Sequence, residues 1–197
     1  MPQIFVTNAV LKAIECLPNF PNLNVLDLSC GEGEIIKQLQ ARGCKVRGTH
    51  FQETDYIIKN RNRLGNLEII DGVNLHEPLP FDTGNFDVVI LSEVLEHLEW
   101  HGKVIREAGR VLRQGGHLCF TTPNISRLHS RLQFFLTGKH KLCRRRVGWD
   151  LSPEELYAYH ITPVDFPLMH SLLYQANLKI VKLDYTRIKW FKITAIP

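Results

Sequence analysis

Ser29-Cys30-Gly31-Glu32-Gly33 is the sharpest chemical cue in this 197-residue chain. It follows an apolar run, Val25, Leu26 and Leu28, that reads as a buried parallel strand, and it precedes Ile35, Ile36 and Leu39 at helical spacing. A strand, a small-residue turn and a helix together present bare backbone N–H groups to a ligand at a helix N-terminus. Gly31 and Gly33 admit positive φ and put no Cβ between backbone and ligand. A second cluster, Glu93-Val94-Leu95-Glu96-His97, holds two carboxylates and an imidazole. Such a set can bind a hard divalent cation or act as a base toward an acceptor hydroxyl. The nine histidines show no H-x-x-E-H or H-E-x-x-H spacing, which argues against a zinc hydrolase.

The elements that must position these groups alternate. Apolar periodicity predicts helices over 7–16, 34–42, 55–64 and 104–112, and strands over 24–29, 45–50, 67–70, 86–92 and 117–122. Gly43 stops the second helix, and Arg113-Gln114-Gly115-Gly116 stops the fourth. Segments 178–185 and 190–196 read as closing strands in an antiparallel hairpin. The expected fold is therefore α/β: a doubly wound, mostly parallel, seven-stranded sheet. Ligands of such sheets bind beyond the carboxyl ends of the strands, so the turn after strand one and the loop after strand four should share a site.

Length fits one domain, residues 1–197. Between Glu107 and Asp150 no Asp or Glu occurs, while Arg127, Arg131, Lys139, Lys141, Arg144, Arg145 and Arg146 all do. This marks a basic helical insertion at about 124–150. Ile125, Leu128, Leu132 and Phe135 are spaced as one helix face, and Phe134 stands beside them. Three uses stay open: a solvated face, a lid over an anionic acceptor, and peripheral membrane contact through 125–146. Stacking aromatics in tandem on strands are absent, which argues against a dedicated single-strand nucleic-acid binder. Helix starts are expected at Ser152-Pro153-Glu154-Glu155 and Thr162-Pro163-Val164-Asp165.

The composition is 44% hydrophobic with formal charge +4 and pI near 8.8, which permits an anionic partner without requiring one. Five scattered cysteines without a C-x-x-C pair read as reduced thiols, with Cys30 and Cys119 as small fillers. No run approaches the roughly 18 apolar residues of a spanning helix. MPQIFVTNAV has no basic region leading into an apolar stretch, so a cytoplasmic location is expected.

NVLDLSCGEGEIIKQL, LPFDTGNFDVVILSEVLEHLEW and REAGRVLRQGGHLCFTTPN together resemble the class I S-adenosylmethionine-dependent methyltransferases, in particular the subgroup with EVLEH and RVLxxGG wording. The resemblance implies the cofactor, S-adenosyl-L-methionine, and the roles of several residues. Asp27, Ser29, Cys30, Gly31 and Gly33 would face its methionine and ribose part. His50 would stand where an acidic residue usually holds the ribose hydroxyls, with Phe51 against the adenine. Asn74 and Leu75 would read the adenine edge, with Asp71 close by, and Ser92 and Glu93 would line the cofactor. Ser29, His50 and Asn74 depart from the family's usual glycine and acids.

Glu93, Glu96 and His97 are the candidate catalytic residues, and His160 resembles a residue of the loop that follows the family's insertion. The same letters resemble the Glu-x-x-Glu-His set that quinone-type and RNA 2′-hydroxyl methyltransferases use for a divalent metal. The plainer reading, with no metal, lets Glu93 touch cofactor, Glu96 cap the next helix and His97 pack on the sheet. A nicotinamide dehydrogenase is disfavoured, because Ile36 stands where the third glycine of G-x-G-x-x-G belongs. The expected function is methyl transfer to a small-molecule or glycan-pathway hydroxyl. The alternative is a non-catalytic binding or regulatory module of the same fold.

Overall fold

The computed structural model describes residues 2–51, 67–138, 160–185 and 190–196. In chain order the elements are α1 (Pro2–Glu15), β1 (Asn24–Asp27), α2 (Glu34–Gln40), β2 (Lys45–Thr49), β3 (Glu68–Ile70) and β4 (Phe86–Ser92). A 3-10 turn (Leu95–His97) follows, then α3 (His101–Val111), β5 (Leu112–Pro123), α4 (Leu128–Thr137), α5 (Phe166–Gln175), β6 (Lys179–Tyr185) and β7 (Trp190–Ile196). The strands form one sheet in the order β3-β2-β1-β4-β5-β7-β6. β1 to β5 run parallel, while β7 pairs antiparallel with both β5 and β6.

Strand alternation divides the core into two layers. Val25, Val88, Ile90 and Cys119 face Val10, Ile14, Ile36 and Leu39 of α1 and α2. Leu26, Val89, Leu91, Leu118 and Phe120 face Val104, Ile105 and Ala108 of α3 and Met169 and Leu173 of α5. Each of the Val, Leu, Ile, Phe and Met side chains among these, fully buried, contributes about 1.5–3 kcal/mol of transfer free energy. This two-sided packing fixes the carboxyl ends of β1 and β4 side by side, with Asp27 in register with Ile90.

The loop between β3 and β4 is tied to α3. Leu79 N–H donates to Glu107 Oε2 at 2.7 Å, and Arg110 donates to the Leu79 and Phe81 carbonyls at 3.0 and 2.8 Å. Arg110 in turn holds the Glu107 carboxyl below its ordinary pKa.

Several boundaries differ from the sequence expectation. α1 begins at Pro2, since a proline in the first turn needs no backbone partner. The strand pairing of β5 extends back to Leu112 across a register irregularity between Phe86 and Val88, so the Gly115-Gly116 segment interrupts the ladder rather than preceding it. The helix start expected at Thr162-Pro163 falls at Asp165, whose Oδ1 accepts from Leu168 N–H at 2.8 Å, with proline in the first turn. α4 starts at Leu128, so Ile125, expected on its apolar face, precedes the helix and is buried, while Leu128, Leu132 and Phe135 are turned outward and Ser130 is the residue α4 buries. The helix expected at 55–64, the basic run 139–146 and the helix start at 152–155 lie outside the described residues.

Candidate active site

A cleft of about 400 Å³ opens at the carboxyl ends of β1 and β4. Asp27, Ser29, Cys30, Gly31 and Ser92 line it, whereas Gly33 and His50 do not. The turn between β1 and α2 is built from left-handed residues: Ser29 (φ 59), Gly31 (φ 54) and Gly33 (φ 68). Ser29 is the costly member, since a side chain in that region adds strain that glycine avoids. Its N–H is held by Thr49 Oγ1 at 3.1 Å, and Cys30 N–H by the Thr49 carbonyl at 3.1 Å. At Gly31 a Cβ would meet nothing within 4 Å, so the backbone there borders open space that a ligand can enter.

β2 supports this turn from behind. Gly48 permits the close approach, because a Cβ there would come within 2.5 Å of Ile36 Cδ1 and 2.7 Å of Cys30 Sγ. His50, 4% exposed, donates from Nε2 to the Gly31 carbonyl at 2.9 Å. The same nitrogen lies 3.3 Å from Cys30 Sγ, and Nδ1 faces Asp71 Oδ1 at 3.5 Å. Both ring nitrogens thus face the protein's own atoms. In this geometry the imidazole positions the turn, and Asp71 is the nearby carboxylate.

The cleft is acidic. Asp27, Glu32 and Glu34 contribute to its wall, and no Lys or Arg does among the described residues. Burial pushes the Asp27 carboxyl up to about 8, and its Oδ2 has no hydrogen-bond partner within the described chain. α1 supplies Ile4, Thr7 and Asn8 to the wall, and α2 supplies Gln38. These residues were missed in the sequence. The available signal was a pair of polar residues, Thr7 and Asn8, inside an apolar helix.

Phe51 is partly exposed just beyond β2. Asn74 and Leu75 do not line this cleft. Asn74 Oδ1 accepts from His76 N–H at 3.0 Å and its Nδ2 donates to Glu77 at 3.3 Å, so the side chain shapes its own loop. The Leu75 side chain is part of the core.

Beyond Ser92 the chain turns through Glu93, another left-handed residue (φ 58). Its N–H donates to the carbonyl and hydroxyl of Thr121 at 3.2 and 3.1 Å, which holds the strained backbone in place. Burial raises the pKa of Glu93 and of Glu96, and the charge of Glu93 raises Glu96 further. Glu96 Oε2 accepts from Thr122 at 3.4 Å, while its Oε1 is buried without a partner. Glu96 therefore does not cap α3, whose first turn has no side-chain cap.

His97 packs edge-to-face on His160, centroids 4.8 Å apart, and Thr162 N–H donates to the Glu96 carbonyl at 3.2 Å. Sequence-distant His160 is thereby brought to the cluster. One ligand atom from each of Glu96, His97 and His160 lies within 4.8 Å of the others, a spacing that could hold a divalent cation. His101 Nε2 donates to the Leu95 carbonyl at 2.8 Å and fixes the 3-10 turn. Burial lowers its pKa.

Residues 26–120 match the family described as "Methyltransferase domain". The sarcosine/dimethylglycine N-methyltransferase of Halorhodospira halochloris is 34% identical over 112 residues, 52% of this chain and 38% of that one. The ubiquinone biosynthesis O-methyltransferase of Hahella chejuensis is 28% identical over 172 residues, 83% of this chain and 71% of that one. The chain thus spans little more than a third of the first relative's length. A crystal structure of a SAM-dependent methyltransferase from Archaeoglobus fulgidus aligns with TM-score 0.69 at 16% identity, covering 98% of this chain and 93% of that one.

Residues 26–120 thus match a methyltransferase-domain family, and the parallel sheet shares the fold of an S-adenosylmethionine-dependent methyltransferase structure. The residues present fit that cofactor. It carries a sulfonium and an ammonium, and the cleft offers it carboxylates, an orphaned buried carboxyl oxygen at Asp27 and open backbone at Gly31.

Proposed function

We propose that this chain transfers a methyl group from S-adenosylmethionine to the hydroxyl of a small-molecule or glycan-pathway acceptor that reaches the Glu93–His97 cluster. The observation that carries the reading is the chemistry of the cleft: the Glu32 and Glu34 carboxylates, a buried Asp27 carboxyl that a nearby cation would ionise, and no cationic side chain among the described wall residues. A pyrophosphate cofactor would be repelled there, whereas a cationic one is favoured.

When bound, S-adenosylmethionine supplies an electrophilic methyl group on its sulfonium. The chain's own task is to orient and desolvate the reactants, since displacement at that carbon needs alignment more than acid–base machinery. Asp27 and the Ser29–Gly33 turn would hold the methionine part, and His50 would keep the turn in shape. A hydroxyl must also lose its proton. Glu93 and Glu96, with pKa values raised by burial and mutual charge, and the imidazole of His97 are the bases at hand. That requirement, together with the O-methyltransferase named as the longer-matching relative, favours oxygen over nitrogen as the acceptor atom.

The test is a panel of hydroxylated acceptors incubated with the chain and methyl-labelled S-adenosylmethionine. Label should move to oxygen, with S-adenosylhomocysteine released in equal amount. Transfer only to amines would overturn the hydroxyl assignment. Tight cofactor binding without any transfer across the panel would favour the non-catalytic module, which the strained Ser29 in place of glycine also fits.

A further inference from the structure

We propose that α4 is a membrane-docking element whose outward face seats in the headgroup layer of an anionic bilayer. A helix on a protein surface ordinarily buries its apolar stripe and shows its polar side to water. α4 is reversed. Its one buried residue is Ser130, whose hydroxyl has no hydrogen-bond partner. With about 3.6 residues per turn, Leu128, Leu132 and Phe135 lie on the side opposite Ser130. They are 74%, 52% and 85% exposed, and neighbouring Leu136 is 77% exposed. The inward face thus contributes little packing, and a contiguous apolar ridge is left facing out.

The charge pattern identifies what covers that ridge. Arg127 precedes α4 and Arg131 sits on its flank. From 108 to 149 the sequence has no Asp or Glu, and seven of the chain's 24 Lys and Arg fall between Arg127 and Arg146. Without those seven the formal net charge of +4 would be negative. The positive charge of the chain is therefore concentrated, along the sequence, in α4 and the segment that follows it. A second copy would bring like charge against like charge. An anionic lipid surface accepts both parts at once, the cations at the headgroups and the Leu and Phe side chains at the acyl boundary.

Position gives the contact a use. β5 runs parallel to β4 and reaches its carboxyl end at Pro123, beside the end of β4 where Ser92 enters the cleft. α4 starts from that same edge of the sheet. Docking through α4 would turn this edge toward the lipid. No helix among the described residues is long and apolar enough to cross a membrane, so the contact is peripheral.

The experiment is sedimentation of the full chain with phosphatidylcholine vesicles, with and without phosphatidylglycerol. Binding should require phosphatidylglycerol and weaken as salt rises from about 0.1 M to about 1 M, where the Debye length shrinks from about 10 to 3 Å. The double variant Leu132→Ser/Phe135→Ser should bind at least about tenfold more weakly, because the buried apolar area supplies much of such binding. Its melting temperature should stay unchanged, since both positions are exposed. Arg127→Gln/Arg131→Gln should also bind several-fold more weakly. The proposal is overturned if the chain ignores anionic vesicles, or if the serine variant sediments like the wild type. It is equally overturned if the ridge proves to mediate self-association, seen as a dimer in light scattering that the serine variant loses while vesicle binding persists. Binding to an oligonucleotide with none to vesicles would reassign the surface to nucleic acid.

Discussion

His50 Nε2 donates to the carbonyl of Gly31 at 2.9 Å, so the residue after β2 clamps the cofactor turn after β1. The ring replaces a carboxylate in the family's wording, but its bond requires a donor, which a carboxylate lacks.

Removing that donor should loosen the turn. His50→Ala removes a part-buried hydrogen bond, a loss of about 0.5–1.5 kcal/mol. Cofactor affinity should fall several-fold or more, with a lower melting temperature. His50→Gln, which keeps an N–H donor, should recover part of both. An alanine variant that binds cofactor like the wild type would remove His50 from this role.

Ser29 carries a side chain at φ 59, where the family's wording has glycine. Relief of the left-handed strain is worth about 1–2 kcal/mol, offset by the roughly 0.5–1 kcal/mol of backbone entropy that glycine loses. Ser29→Gly should therefore stabilise the chain slightly and bind S-adenosylmethionine at least as tightly. Thermal melts with and without cofactor check both, and a clear loss of stability would contradict the strain argument.

Asp27 titrates far above its ordinary 3.8, at about 8, because it is buried. The folded chain therefore holds this proton more tightly than the unfolded chain. The stabilisation is fully present below the unfolded pKa and is lost as pH rises from about 4 through about 8. Melting curves between pH 5 and pH 8.5 should show a decline that Asp27→Asn reduces. Cofactor cations favour the ionised carboxylate, so binding should release a proton and strengthen toward alkaline pH. Calorimetry in buffers of different ionisation enthalpy reads that proton directly. A binding heat independent of buffer would contradict it.

His97 packs on His160 and does not line the cleft wall. His97→Ala should lower kcat by about 10²–10⁴-fold if the imidazole is the base, and leave the cofactor dissociation constant within a few-fold. Equal losses in both would make it a structural residue.

The parallel sheet was legible because its strands are apolar on both faces, as in Phe86–Ser92, and its helices carry clear stripes, as in Val104–Val111. The cleft turn was legible because the glycine pair, common in turns by itself, stands between a strand and a helix and is followed by the downstream motifs. Three features were not legible, each for a physical reason. Thr7 and Asn8 reach the cleft through a tertiary contact of α1 that no local pattern encodes. His160 joins His97 only through the fold of a loop distant in sequence. The periodicity of α4 revealed a helix with an apolar stripe, but period alone does not say whether the stripe points in or out, and here it points out.

The most direct test of the central claim is isothermal titration of the full chain with S-adenosylmethionine and S-adenosylhomocysteine, wild type against Gly31→Val. Both ligands should bind one site and displace each other. The valine variant should lose binding, because a branched side chain would fill the open space beside Gly31 and strain its left-handed backbone. Absence of heat and of any thermal shift with either ligand in the wild type would contradict the methyltransferase account.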